Sequence, residues 1–145
     1  MIDVDAMRYR LDLILDYLQE IQPLTMLSLD EFLADTYKKR GAERLLEITI
    51  QAALDINNHL LKEHFRVVKT TNSDGFLEMG QLGPLTPELA QEINKSGSFR
   101  NRLAHRYDKV DPEVVFQFIP KLIDQFSQYV EQINDFLNVL EDSNE

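Results

Sequence analysis

Apolar residues recur every three or four positions over most of this chain, a period that leaves little room for anything but helices. In VDAMRYRLDLILDYLQEI (4–21), Met7, Leu11, Ile14, Leu15, Leu18 and Ile21 fall on one stripe. In AERLLEITIQAALDINNHLLKEHF (42–65), Leu45, Ile48, Ala52, Asp55, Ile56 and His59 share one broad face. Strand-type alternation fits no segment, and there is no internal repeat. The spacing therefore predicts an all-α bundle of four to six helices, with up-down connectivity because most links are short.

Punctuation sets the expected boundaries. Pro23, with Leu24 and Thr25, ends the first helix, and SLDE (28–31) has the Ser-x-x-Glu form of a capping box. Gly41 reads as a tight junction or kink ahead of the long helix. KTTNSDGFLEMGQLGPL (69–85) reads as one long irregular stretch, with turn signals at Asp74-Gly75 and Gly83-Pro84. Thr86 then caps a helix with Pro87 in its first position. Ser96-Gly97-Ser98 either interrupts that helix or caps a fresh one from Phe99. Asp111-Pro112-Glu113 caps the last, Val114 to Leu140, where Pro120 forms a kink or a late first turn. Residues 139–145 are expected to fray.

At 145 residues the chain is long enough for one good core and too short for two, so residues 1–145 read as one domain. No apolar run approaches 18 residues, and MIDVDAMRYR has an acidic start with no apolar signal region. Cysteine is absent, which removes disulfides and thiolate metal sites and fits a reducing cytoplasm. A net charge of −10 argues against broad, non-specific adhesion to nucleic acid. It leaves room for a locally basic cleft.

SFRNRLAHRYDKV (98–110) is where such a cleft would lie, with Arg100, Arg102, Arg106, Lys109 and His105 crowded into an acidic chain. If 99–107 is helical, Tyr107 comes almost directly above Arg100, while Asn101 and His105 share a neighbouring face. Phe99 and Leu103 would root the helix in the core. Arg offers a planar fork of donors to a phosphate oxygen. His moves protons near neutral pH, Asn can orient an imidazole, and Tyr can stack or donate. One His cannot be base and acid at once, and a two-fold dimer would bring two of them to one cleft. On residue types alone, a solvated helix face with a structural His fits as well.

RNRLAHRY resembles the Arg-x4-His-x-Tyr signature of the HepT family of HEPN-domain proteins, the toxin half of MntA/HepT toxin–antitoxin pairs. ERLLEITIQAALDINNHLL (43–61) is similar to the family's second long helix. LGPLTPELAQEI (82–93) and RYDKVDPEVV (106–115) resemble the segments before and after the motif, so the likeness covers most of the chain in order. Ser96-Gly97-Ser98 departs from the more helical sequence usual there. The resemblance implies a HEPN bundle, a homodimer with the motif lining a composite cleft, and metal-independent endonucleolytic RNA cleavage without a cofactor. It implies His105 as general base or acid and Arg100 as the group stabilising charge on the phosphate oxygens, with Asn101 in support. It also implies an MntA-type nucleotidyltransferase antitoxin that attaches AMP to Tyr107. The alternative is a non-catalytic helical subunit that binds a nucleotide or partners a nucleotidyltransferase.

Three readings concern residues outside the motif. Asp55 and His59 either support the dimer cleft or form a buried pair hydrogen-bonded to each other. His64 is expected at the end of its helix, exposed or against the helix dipole. Three scattered His and no Cys give no metal-ligand spacing.

Overall fold

A computed structural model describes residues 2–67, 72–105 and 110–143, without the side chains of Asn72 and Ser73. The described residues form an all-α bundle. Its helices are α1 (Val4–Ile21), α2 (Leu29–Ala34), α3 (Thr36–Glu63), α4 (Asn72–Leu82), α5 (Pro87–Ile93), α6 (Ser96–Ala104) and α7 (Pro112–Ser143). A 3-10 turn, Gln22–Met26, follows α1 and carries Pro23 near its start.

Each start has a local cause. Asp3 caps α1 by accepting from the Ala6 N–H at 3.0 Å. At α2 the expected capping box forms: the Ser28 hydroxyl accepts from the Glu31 N–H, and the Glu31 carboxylate accepts from the Ser28 N–H. That backbone bond and the Ser28 hydroxyl hold the Glu31 carboxyl below its ordinary range. Thr86 caps α5 through the Leu89 N–H at 3.2 Å with Pro87 behind it, as the sequence leads one to expect. Asp111 accepts from the Glu113 N–H at 2.9 Å at the start of α7.

Four arms result, running alternately up and down in chain order. The start of α1 lies against the ends of α3 and α7: the Asp3 N–H reaches the His59 ring, and Arg8 reaches Asn134, Asn138 and Glu141. Helices α3 and α7 run the same way: Phe32 of α2, just ahead of α3, meets Phe116 at the start of α7, and Phe65, just past α3, meets Phe136 towards its end. The remaining arm is broken into α4, α5 and α6 and returns along α3. Its Gly75 end faces Asn57 and Leu61, and its His105 end faces Lys39 to Glu43.

The core is continuous between the arms. From α1 it takes Met7, Leu11, Ile14, Leu18 and Ile21, each worth about 1.5–3 kcal/mol when fully buried. Leu15, expected on that stripe, lies on its edge and is 42% exposed. From α7 it takes Ile119, Leu122, Phe126, Tyr129, Ile133 and Leu137. The Tyr129 hydroxyl donates to Asn57 Oδ1 at 2.6 Å and lies 3.0 Å from the Ala53 carbonyl, tying α7 to α3 in the dry centre.

Four boundaries differ from the sequence reading. Gly41 makes neither junction nor kink, because α3 runs unbroken through it and no neighbour crowds its Cα. Residues 72–82, expected to be irregular, are helix α4, whose Phe76 and Met79 are fully buried. Gly80 is there for packing: a Cβ on it would lie 2.5 Å from the Ala90 Cβ of α5. Helix α6 starts at Ser96, ahead of Phe99, because Ser96 and Gly97 are small enough to be buried there. The last helix reaches Ser143, with Glu141 held by Arg8 at 3.1 Å.

Candidate active site

The motif sits where the broken arm ends against the start of α3. Phe99 stacks at a tilt on Phe118 of α7, ring centroids 4.8 Å apart, and Leu103 packs on the core beside it. These two root α6, as its sequence predicts. Arg100 is half-buried on the side of the helix that also buries Ser96 and Gly97, and α6 packs mainly on α3. Its buried Nε–H has no hydrogen-bond partner among the described residues. An N–H already stripped of water and unpaired is a costly donor unless a ligand completes it.

The helical phase assumed for the motif holds only in part. Helix α6 ends at Ala104, and His105 is already extended at φ −88°, ψ 122°. Its N–H donates to the Asn101 carbonyl at 3.2 Å, closing the last turn. That bond keeps His105 one turn beyond Asn101, and the expected helix goes no further. The chain leaves the helix here because Val110 must return to the core and Pro112 begins α7 in another direction. Tyr107 lies outside the described residues.

His105 is exposed and opens onto a groove of about 640 Å³. One wall is the first two turns of α3, with Thr36, Lys39, Arg40 and Glu43. The other is Leu103, Ala104, Val110, Asp111 and Pro112. The α3 wall lies outside the motif. Its signal in the sequence is the run TYKKR (36–40), which by itself reads as a solvated helix start. A shallower depression of about 520 Å³ beside Pro84, Gln132 and Phe136 is mostly apolar and holds no member of the motif.

Asp55 and His59 are elsewhere. Both are half-buried on α3, and Asp55 is roughly 18 Å further along the helix axis than Glu43 at 1.5 Å per residue. They do not bond to each other, which corrects the paired reading. Asp55 accepts from Gln51 Nε2 at 2.8 Å, and His59 Nε2 accepts from the Asp3 N–H at 3.1 Å. Within one chain, His59 ties the start of α1 to α3, Asp55 is held within α3 by Gln51, and neither lines the groove. His64 caps the end of α3 and meets Phe65 and Phe136 edge-on, at 4.7 and 5.6 Å.

Among the described residues no three His, Asp or Glu side chains converge as metal ligands, and no helix is long and apolar enough to cross a membrane. A helical bundle that sets an exposed histidine at a helix end, with cations across a groove, belongs to the class of HEPN-type folds. Residues 14–133 match the "Ribonuclease HepT-like" family model, and this chain belongs to that family. It is 42% identical to the tRNA nuclease HepT of Aphanizomenon flos-aquae over 136 residues, 94% of this chain and 92% of that one. It is 23% identical to the mRNA nuclease HepT of Shewanella oneidensis over 88 residues, covering 61% and 66%. Among solved structures, the tri-AMPylated Shewanella oneidensis HEPN toxin in complex with its MNT antitoxin superposes with a TM-score of 0.80. That likeness, at 20% identity, covers 93% of this chain and 99% of that one and shows the shared fold.

Proposed function

We propose that this chain is the endoribonuclease toxin of a toxin–antitoxin pair, acting without a metal. The observation that carries the reading is His105, exposed at the end of the helix that half-buries Arg100, on a groove lined by Lys39 and Arg40 together with Glu43 and Asp111. Identity of 42% to a tRNA nuclease across nearly the whole chain supports it.

In this mechanism a neutral His105 takes the proton of a ribose 2′-hydroxyl. The oxygen attacks the adjacent phosphorus, and the P–O5′ bond breaks. A second imidazole protonates the departing 5′-oxygen, leaving a 2′,3′-cyclic phosphate and a 5′-hydroxyl. A single groove has one His105, so the second comes from a second copy of the chain across a two-fold axis. Arg100 donates to the phosphate oxygens as charge builds there, the kind of placed donor that contributes most to such reactions. Tyr107, two residues past His105, is the acceptor of AMP from a nucleotidyltransferase antitoxin. The adduct's phosphate brings negative charge and bulk to the approach of the RNA.

Intact mass and RNA cleavage are measured on protein made with and without the antitoxin. An AMP-sized increment that maps to Tyr107 and coincides with loss of cleavage is the expected result. Absence of both increment and cleavage would move the assignment to a non-catalytic interaction subunit, which the net charge of −10 favours.

A further inference from the structure

The groove wall opposite His105 carries charges that the motif mechanism leaves unused. We infer that Lys39 and Arg40 form a phosphate-binding subsite for single-stranded RNA flanking the cleavage point, which rests on the ribonuclease reading above. Both side chains line the same groove as His105. Thr36, Arg40, Glu43 and Lys39 lie within about 100° of arc on α3, so one helix face meets the groove with all four.

Among the described residues neither side chain is committed to the fold. The Lys39 side chain makes no hydrogen bond or ion pair with them, and only its backbone N–H is bonded, to the Asp35 carbonyl. Arg40 has a single long contact, 3.6 Å to Glu43, with its side chain 78% exposed. An exposed pair of that length contributes about 0–1 kcal/mol and yields readily to a phosphate. Glu43 and Asp111 lower the positive potential of the groove, so the two cations act there as local partners for phosphate. Tyr37, three residues before Arg40 on α3, is 90% exposed. Cations that follow a backbone, with an aromatic ring for a base, are the recurring device for single strands.

The acidic body gives the subsite its purpose. With a net charge of −10, long-range attraction to RNA is absent, and binding rests on the few cations that line the groove. Arg100 stabilises the reacting phosphate alone. The neighbouring phosphates need partners on the facing wall, and Lys39 and Arg40 are the cations there.

The test is steady-state cleavage of an RNA oligonucleotide by the homodimer across a salt series. Lys39→Ala/Arg40→Ala raises KM roughly tenfold, changes kcat less than threefold, and makes the slope of log(kcat/KM) against log[salt] shallower by about one per cation removed. Lys39→Arg/Arg40→Lys, which keeps both charges, restores KM. Lys62→Ala, at the far end of α3, leaves KM and slope as in the wild type. Circular dichroism confirms that each variant is folded. Unchanged KM and salt slope in the double alanine variant overturn the subsite. So does wild-type cleavage combined with lost AMP transfer from the antitoxin, which would make this wall a protein dock. A wild-type protein that cuts no RNA defeats the ribonuclease reading itself, a result distinct from either.

Discussion

His105 owes its place to the last turn of α6, where its N–H donates to the Asn101 carbonyl. Because it is extended and exposed, removing its imidazole ring should leave the fold intact. His105→Ala is therefore expected to keep the wild-type melting temperature and lose about 10²–10⁴-fold in kcat. Cleavage within tenfold of wild type in that folded variant would remove His105 from the mechanism. Tyr129 behaves oppositely. Its phenol is completely buried, and desolvation raises its pKa well above the ordinary value near 10. A raised folded pKa adds stability that is complete below the unfolded value and is lost as pH rises through the folded one. Alkaline titration followed at 295 nm should show Tyr129 ionising only with unfolding. Tyr129→Phe strands Asn57 and should cost about 1–3 kcal/mol by urea denaturation. At this scale the identities in the motif were legible, since Arg100, His105 and Tyr107 are chemistry-bearing types at a fixed spacing. The geometry of His105 was not, because a nine-residue helix ends where the next helix requires.

Helix α4 shows what periodicity alone can miss. Two glycines and an Asn-Ser-Asp start carry the marks of a turn, yet 72–82 is helical because Phe76 and Met79 find the core beside α3 and α5. Its glycines have opposite roles. A Cβ on Gly75 would meet Leu61 at an ordinary 3.8 Å, so Gly75→Ala should gain about 0.5–1 kcal/mol from helix propensity. At Gly80 the 2.5 Å approach to Ala90 involves a short side chain that cannot swing away, and Gly80→Ala should cost about 1–3 kcal/mol. Thermal melts of the two variants moving in the same direction would show that the α4–α5 contact is not close-packed. The caps were readable in advance. Ser28, Thr86 and Asp111 satisfy backbone groups two or three residues away, so their signal is local.

As a whole, the molecule is four arms around one core, with the broken arm carrying the candidate site to the start of α3. A cleft with one His105 per chain calls for a second copy, and light scattering should give about twice 16.9 kDa. A monomer that cleaves at full rate would mean that acid and base come from one chain. The amino-acid sequence by itself determined the helical class, most of the buried stripe of α1, the caps and the motif, because each depends on residues within a turn or two. Tertiary structure alone decided that α4 is a helix, that His59 ties α3 to the start of α1, and that Lys39 and Arg40 face His105. Those outcomes depend on which surfaces meet, and residues some 65 positions apart become neighbours only when the broken arm folds back along α3.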